Sequence, residues 1–485
     1  MKEYQYDVLI IGAGLSGIGM ACHLERELLG RKLAILERRE AIGGTWDLFR
    51  YPGVRSDSDM FTMAYDFKPW TEPKVLGEGA AIRRYISETA QEYRVDKKIH
   101  YGLKVIGASW SSEDGCWTVE ARSEVDGKVS TYTCRFLISC AGYYNYDKGY
   151  LPHFPGMETF SGQCIHPQFW PQSLDYRGKK VVVIGSGATA VTLIPAMASD
   201  TAHITMLQRS PSYYLSVPGY GKLLRRLEKL LPRRWLYRLV RASNIGLQRF
   251  FYQRAVHHPQ GMRNYLLGQV RKALGPDADM RHFTPDYNPW DQRLCVVPNG
   301  DLFRAIRAGK ASVVTDDIET FTERGIRLRS GEELEADIVI TATGLRLQTF
   351  GGMQLTVDGV PRQVNQLLSY KAVLIQDLPN FGFILGYVNA SWTLKADIAA
   401  RYLCRLINHT EELGLSSVTP RAPEGEASDE NAMNTLSAGY IHRGKGELPR
   451  QGVHLPWRVT HDYDIDRQLL LKTPIEDEWL EFTPI

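Results

Sequence analysis

The chain has 485 residues, of which 44% are hydrophobic, 23% charged and 11% aromatic, and this composition excludes disordered and fibrous proteins. Its 58 basic and 55 acidic side chains give a formal charge of +3, which argues against a general nucleic-acid-binding protein. No apolar run reaches the ~18 residues that a membrane-spanning helix needs, and the N-terminus resembles neither a signal nor a transit peptide, so we expect a cytoplasmic protein.

The first predicted unit is a strand, a glycine-rich loop and a helix. The apolar run Val8–Ile11 predicts a buried parallel strand. Gly12, Gly14 and Gly17 follow it in the GxGxxG spacing that lets a pyrophosphate approach the backbone. Glu37 ends the next predicted strand, where a carboxylate accepts hydrogen bonds from a ribose diol. This unit is expected to bind a nucleotide without a 2′-phosphate.

A second unit repeats this pattern 173 residues later, with Gly185, Gly187 and Ala190 in its loop. At the matching strand end the chain has Arg209 and Ser210 instead of an acid. A guanidinium can pair with a 2′-phosphate through two hydrogen bonds, whereas a carboxylate would repel it. We therefore predict that the first unit binds FAD and that the second prefers NADPH over NADH.

The order of these units predicts an α/β fold in which one dinucleotide-binding domain is inserted into another. In each half of the chain, a predicted strand that ends in small residues leads from one domain into the other. The predicted parts are an FAD-binding domain at 1–145 plus 340–485, an NADPH-binding domain at 150–335, and within it a helical insert at 212–285.

The insert is strongly basic. Between Lys222 and Lys272 there are 13 Lys or Arg and one acid, so the local charge is 13 − 1 = +12. Trp235, Leu236 and Leu239 recur at helical spacing. Three interpretations remain open: a solvated face that covers the inserted domain, peripheral contact with an anionic membrane through 222–272, or contact with a partner protein.

Seven cysteines are scattered along the chain without a CxxC pair. This pattern indicates neither a disulfide framework nor a zinc site, and we predict no bound metal. It also argues against a flavin-linked disulfide reductase, which needs two neighbouring thiols.

Two longer motifs carry a family resemblance. Residues 43–57, GGTWDLFRYPGVRSD, match the pattern GGxWxxxx[FY]PGxxxD, and residues 160–171, FSGQCIHPQFWP, match FxGxxxHxxxW[PD]. Over essentially its whole length the sequence resembles class B flavoprotein monooxygenases of the type I Baeyer–Villiger group. The stretches NPWDQRLC, VPNGDLFRAI and NASWTLKAD are similar to its ethionamide-activating subgroup.

The resemblance implies a specific chemistry. NADPH reduces FAD, dioxygen adds to the reduced flavin as a C4a-peroxyflavin, and this species inserts one oxygen next to a ketone carbonyl to give an ester or lactone. The same species can oxygenate sulfur, so a ketone or a thioether is the expected small-molecule substrate.

The resemblance also assigns residues. Arg293 matches the catalytic arginine, which supplies positive charge near the oxygen, and Asp57 matches the acid that orients it. Many relatives carry Lys just before this arginine, but this chain has Gln292, so NADPH preference depends on Arg209. The motifs and the resemblance together assign cofactor binding to Gly12, Gly14, Ser16, Gly17, Glu37, Gly44, Thr45, Trp46, Asp57, Gly185, Gly187, Ala188, Thr189, Arg209 and Ser210.

The second motif is predicted to connect the two domains. Its fixed residues are Phe160, Gly162, His166 and Trp170. The resemblance implies that His166 positions the domains and that proton transfer is not its role.

Two other functions remain open. One is a flavin monooxygenase that oxidises only nitrogen or sulfur. The other is a non-catalytic, membrane-associated redox sensor that binds flavin without turnover.

Overall fold

The computed structural model describes residues 4–72, 74–218, 232–292, 294–433, 439 and 443–484. Its two largest sheets are flanked by helices, and it confirms the predicted α/β class with two Rossmann-type units. In the described residues, no helix combines the length and the hydropathy needed to cross a bilayer.

The elements of the first part of the chain are β1 (Tyr6–Ile11), α1 (Leu15–Glu27), β2 (Leu33–Leu36), α2 (Thr45–Leu48), α3 (Met60–Met63), α4 (Gly79–Glu92), β3 (Ile99–His100), β4 (Leu103–Ser111), β5 (Cys116–Ser123), β6 (Val129–Ser139) and β7 (Tyr144–Gly149). Those of the middle part are β8 (Gln163–Ile165), β9 (Lys180–Ile184), α5 (Ala188–Met197), β10 (His203–Gln208), β11 (Tyr214–Val217), α6 (Arg233–His257), α7 (Pro259–Leu274), β12 (Cys295–Pro298), α8 (Asp301–Arg307), β13 (Ala311–Thr315), β14 (Ile318–Thr322), β15 (Gly325–Leu328), β16 (Glu333–Glu335) and β17 (Ile338–Thr341). Those of the last part are β18 (Leu345–Leu347), β19 (Gln354–Val357), β20 (Val360–Arg362), β21 (Ser369–Tyr370), β22 (Leu374–Ile375), β23 (Phe381–Phe383), α9 (Trp392–Glu412), β24 (Leu415–Pro420), β25 (Ala427–Asn431), β26 (Arg450–Gly452), α10 (Tyr463–Leu471) and β27 (Leu480–Pro484).

The first sheet is built around β1, which pairs in parallel with β2 and β6. Residues 8–11 of β1 are all buried, as expected for a parallel strand that is covered on both faces. The antiparallel strands β4 and β5 continue the sheet beyond β6, and β23 returns from the last part of the chain to pair in parallel with β6.

The second sheet has the order β13-β10-β9-β17-β8, with every neighbouring pair parallel. A small antiparallel meander of β14, β15 and β16 precedes β17. The segments that connect the two sheets, β7 and β18, pair with each other in antiparallel fashion. The passage between the sheets is therefore a two-stranded connection.

The long helix α6 of the insert packs against the first unit. Buried Arg241 donates hydrogen bonds to the carbonyls of Phe61 and Ala64, which belong to α3 and its end. The interpretation that the insert covers the inserted domain is therefore wrong for α6. The apolar residues at helical spacing do not share one environment, since Leu236 is buried while Trp235 and Leu239 are exposed.

Candidate active site

One cavity of about 330 Å³ lies between the two glycine-rich loops. Its wall includes Gly12, Gly14 and Ser16 from the first loop and Ala188 and Thr189 from the start of α5. The predicted residues that also line it are Glu37, Gly44, Thr45, Trp46 and Asp57. The fold thus brings parts of both predicted nucleotide sites to one space.

The first loop is shaped by close backbone contacts. Gly12 has φ +100°, and a Cβ there would lie 2.8 Å from the carbonyl oxygen of Cys140. A Cβ on Gly17 would lie 1.8 Å from the carbonyl oxygen of Gly12. Larger residues at either position would therefore displace the loop from the strand.

Gly14 and Gly44 face each other across the cavity wall. A Cβ on Gly44, whose φ is +54°, would lie 3.0 Å from the Cα of Gly14. Because neither residue has a side chain, the backbone stays open at the mouth of the loop, next to the N-terminus of α1. This cradle fits the diphosphate of a dinucleotide such as FAD.

Glu37 is buried at the end of β2, as the fingerprint requires. Its Oε2 accepts a hydrogen bond from the backbone N of Ala13 (2.6 Å), and its Oε1 accepts one from that of Arg39 (2.8 Å). Burial raises the pKa of Glu37, and these hydrogen bonds partly oppose that shift. Each oxygen keeps a further lone pair, so the carboxylate remains able to accept from a ribose diol.

Asp47 holds the loop that carries Gly44. Its side chain is 3% exposed and is surrounded by Arg39 (2.7 Å), Arg83 (3.0 Å) and Arg50. Burial alone would raise the pKa of Asp47, but the three guanidinium groups outweigh it and hold this pKa below its usual value. The motif therefore contains a buried ion cluster that sequence reasoning did not identify.

The second glycine-rich loop has a backbone geometry like that of the first, but its surroundings are more open. Gly185 has φ +125°, and its missing Cβ would lie 2.4 Å from the carbonyl oxygen of Ala342, whereas a Cβ on Gly187 would meet nothing within 4 Å. The hydroxyl of Ser186 donates to the carbonyl of Ser210 (3.3 Å). This bond connects the loop to the strand end that carries the phosphate-binding candidate Arg209.

Arg209 is exposed and lies near two further arginines. Arg443 stacks on Tyr150 with 3.5 Å between the guanidinium carbon and the ring centroid. Burial lowers the pKa of Arg443, and the charges of Arg209 and Arg346 lower it further. The sequence pattern identified Arg209 alone, and the two other arginines had no motif to mark them.

An ion pair joins the first unit to the second beside the cavity. The Nη1 of Arg55 lies 2.6 Å from the Oδ2 of Asp301 on α8, and the two side chains are 13% and 17% exposed. Gly53 packs so closely on α5 that its missing Cβ would lie 2.3 Å from the carbonyl oxygen of Thr192. The PG segment of the first motif is therefore an interdomain contact.

The structure describes only one residue of the predicted catalytic pair, Asp57. Asp57 lies at the cavity wall, and Arg293 falls outside the described residues. The strand β12 begins two residues after Arg293 and contributes Val296 to the cavity. The pairing of Arg293 with Asp57 stays a prediction.

His166 lies away from the cavity, at the connection between the sheets. The backbone N of Gln168 donates to its Nδ1 (3.2 Å), so the ring proton is on Nε2, which faces the carbonyl of Gly344 (3.1 Å). Burial lowers the pKa of His166, which keeps the ring neutral near pH 7. These contacts favour a positioning role.

The other residues of this motif also serve packing. A Cβ on Gly162 would lie 2.4 Å from the carbonyl oxygen of Asp337. Phe160 contacts Phe321 edge-on (6.0 Å between centroids), and Trp170 packs on the core of the second unit. None of these described side chains lines the cavity between the loops.

Three aromatic side chains form one wall of the cavity. Tyr143 stacks with Trp392 (5.5 Å) and contacts Tyr144 (4.4 Å), and all three line the cavity. The indole Nε1 of Trp392 donates to Ser16 Oγ (2.8 Å), which connects this wall to the first glycine loop. Trp392 belongs to the stretch NASWTLKAD, but Tyr143 and Tyr144 lie in a distant part of the chain, so no local pattern predicts that the three rings meet.

One cluster of metal-ligand side-chain types lies elsewhere, at His23, Asp66 and Asp397. Burial opposes the charge of His23, but hydrogen bonds with Asp397 and Glu27 outweigh it and raise the pKa of His23 to about 9. A protonated imidazole offers no lone pair to a metal, and Arg241 also reaches Asp397 (3.4 Å). The arrangement is that of a buried ion-pair network.

The fold and the cavity define a protein in which two dinucleotide-binding units share one site. A family model for flavin-binding monooxygenase-like proteins matches residues 5–422, and the chain belongs to this family. The membership predicted from the two motifs is confirmed.

Individual relatives agree with this assignment over full length. The chain is 57% identical to MymA of Mycobacterium tuberculosis, covering 98% of this chain and 97% of MymA. It is 48% identical to the FAD-containing monooxygenase EthA of the same species, covering 98% and 97%.

Solved structures share the fold at low sequence identity. A steroid monooxygenase bound to NADP superposes with a TM-score of 0.79 at 19% identity, covering 99% of both chains. Cyclohexanone monooxygenase in an open form superposes with a TM-score of 0.72 at 20% identity, covering 87% of this chain and 91% of that one.

Proposed function

We propose that this protein is an FAD- and NADPH-dependent Baeyer–Villiger monooxygenase that inserts one oxygen of dioxygen next to a ketone carbonyl and also oxygenates sulfur. The single observation that carries the proposal is the cavity lined by both glycine-rich units. Hydride transfer between two nucleotides requires that their rings meet in one space, and a cavity shared by the two units supports such a meeting.

The described residues would hold the two nucleotides in separate ways. The open backbone at Gly14 and Gly44 would hold the diphosphate of FAD, and Glu37 would accept from its ribose. Arg209 would pair with the 2′-phosphate of NADPH, with the positive charge of Arg346 and Arg443 close by. When bound, reduced FAD supplies the activation of dioxygen.

The protein's own contribution to the reaction is charge and enclosure. The guanidinium of Arg293 stays protonated at all relevant pH values and offers a fixed positive charge to negative oxygen, with Asp57 as its counter-charge. The apolar faces of Tyr143 and Trp392 limit the access of water to this space. His166 keeps its proton on Nε2 and holds the connection between the units.

A product analysis with labelled dioxygen tests the proposal. The holoenzyme is supplied with NADPH and a panel of ketones, thioethers and tertiary amines, and products are scored by mass spectrometry. We expect the label in an ester or lactone and in a sulfoxide. Label in sulfur or nitrogen products alone would favour the restricted flavin monooxygenase. NADPH consumption that yields only hydrogen peroxide with every substrate would exclude both oxygenases.

A further inference from the structure

The helix α6 is fixed to the first unit by one face. Arg241 is buried, and its Nη1 donates to the carbonyls of Phe61 (2.8 Å), Thr62 (3.1 Å) and Ala64 (2.8 Å). The hydroxyl of Tyr237, one turn earlier, donates to the carbonyl of Tyr65 (3.0 Å).

The same face is held again further along the helix. The side-chain amides of Asn244 and Gln248 donate to the two carboxylate oxygens of Asp59, at 2.8 and 2.7 Å. Since these contacts extend over three turns of one helix face, they determine which side chains project away from the protein.

The opposite face is apolar and exposed. Trp235, Leu239, Phe250 and Leu247 have exposed fractions of 63%, 58%, 57% and 52%. At 3.6 residues per turn these four lie within about 120° around the helix. Six of the 17 large hydrophobic side chains that are exposed in the described residues fall between 235 and 265. This concentration is more than scattered surface exposure requires.

The charge around this face is mostly positive, and the acids beside it, Asp462 and Asp464, pair with Arg249. Residues 232–275 contain nine Lys or Arg, of which Arg241 is buried on the opposite face, and neither Asp nor Glu. Among the residues described, no acid forms an ion pair with Arg234, Arg238 or Arg254. A cavity of about 240 Å³ at the edge of the face is lined by Arg26, Arg234 and Arg238, with one carboxylate, Asp66.

We propose that the outer face of α6 docks on an anionic lipid bilayer, with the apolar side chains in the interface and the arginines on the phosphates of the headgroups. An apolar stripe bordered mainly by cations is complementary to anionic lipid, whereas the rim of a protein interface carries mixed polar groups. This inference goes beyond the proposed reaction and does not depend on it.

Vesicle sedimentation of the full-length holoenzyme tests this surface. The probes are phosphatidylcholine vesicles with and without about one-third phosphatidylglycerol, at low salt and at about 0.5 M salt. We expect the protein to pellet only with the anionic vesicles and only at low salt. No pelleting with anionic vesicles at low salt would overturn the proposal.

Single substitutions locate the contact. Leu239→Glu and Phe250→Glu change exposed side chains, and Leu413→Glu, with 53% exposure outside the insert, is the matched control. Each of the first two should weaken vesicle binding at least ~10-fold, because an apolar contact is lost and an acid is added. The control should bind like the original protein.

Two results would contradict this location. One is equal vesicle binding by all three variants, each of which must retain flavin as evidence of folding. The other is that Leu239→Glu or Phe250→Glu changes the sedimentation coefficient in lipid-free solution while the original protein does not bind vesicles. That result would identify the face as an interface between copies of the chain.

Discussion

The ion pair between Arg55 and Asp301 connects the two units beside the cavity, and its removal tests whether their alignment matters for turnover. Asp301→Ala removes the carboxylate that lies 2.6 Å from the guanidinium and that also accepts from the backbone N of Leu302 (2.9 Å). Asp301→Asn keeps hydrogen-bonding capacity and removes only the charge. Comparison of the two variants separates charge from hydrogen bonding.

The size of the effect follows from burial. The side chains are 13% and 17% exposed, so solvent screens the pair much less than it screens a surface pair. Removing one partner of a buried pair costs ~3–5 kcal/mol, and this partly exposed pair should lie near the lower end, at about 3 kcal/mol for Asp301→Ala. The control is the exposed pair Arg327–Glu319, at 2.8 Å with 48% and 53% exposure, where Glu319→Ala should cost less than ~0.5 kcal/mol.

The assay is a double-mutant cycle on Arg55→Ala and Asp301→Ala, read by urea unfolding of the holoenzyme and by the fraction of NADPH electrons that reach product. We expect a coupling free energy of about 1.5 kcal/mol and a larger release of hydrogen peroxide from each single variant. If the two effects are additive within ~0.5 kcal/mol and the peroxide release is unchanged, the pair does not align the units.

Three further predictions concern the site. Arg293→Ala should slow oxygenation by at least ~10²-fold, as for loss of one oxyanion-hole donor, while anaerobic flavin reduction by NADPH stays within about threefold; normal ester formation in this variant would remove the assigned role. Arg209→Ala should lower the NADPH/NADH preference in kcat/KM by about 10–100-fold through a higher KM for NADPH, since charge-assisted hydrogen bonds contribute ~1.5–3 kcal/mol; an unchanged ratio would assign the phosphate site elsewhere. Burial raises the pKa of Asp47, but the guanidinium groups outweigh this effect and hold the pKa below its ordinary value of ~3.9. The ionised Asp47 therefore stabilises the folded protein fully above pH ~3.9, and this stabilisation is lost as the pH falls through the lower pKa of the folded state. Accordingly, Asp47→Asn should be destabilised near pH 7 and should approach the original protein in strong acid, as measured by urea unfolding, and a difference that is constant with pH would refute this.

The local parts of the fold were predictable because their signals are contiguous. The apolar runs that become β1 and β9 each lead directly into a glycine loop, and the backbone contacts of Gly12 and Gly185 explain why those positions need glycine.

The contacts between distant segments were not predictable in this way. Arg55 and Asp301 are 246 residues apart, and nothing near either residue indicates the other. The position of α6 depends on Arg241, which counted only as one more charge in a basic segment, although it is a buried anchor. A charge count cannot distinguish a guanidinium that faces carbonyls from one that faces solvent.

The most direct test of the central claim is anaerobic titration of the purified protein with NADPH, followed by absorbance. If two nucleotides meet in the cavity between the glycine loops, the protein carries about one FAD per chain, and one equivalent of NADPH bleaches it in a saturable step before dioxygen is admitted. A protein that is colourless and does not take up FAD on reconstitution, or one whose bound flavin NADPH fails to reduce, would contradict the account.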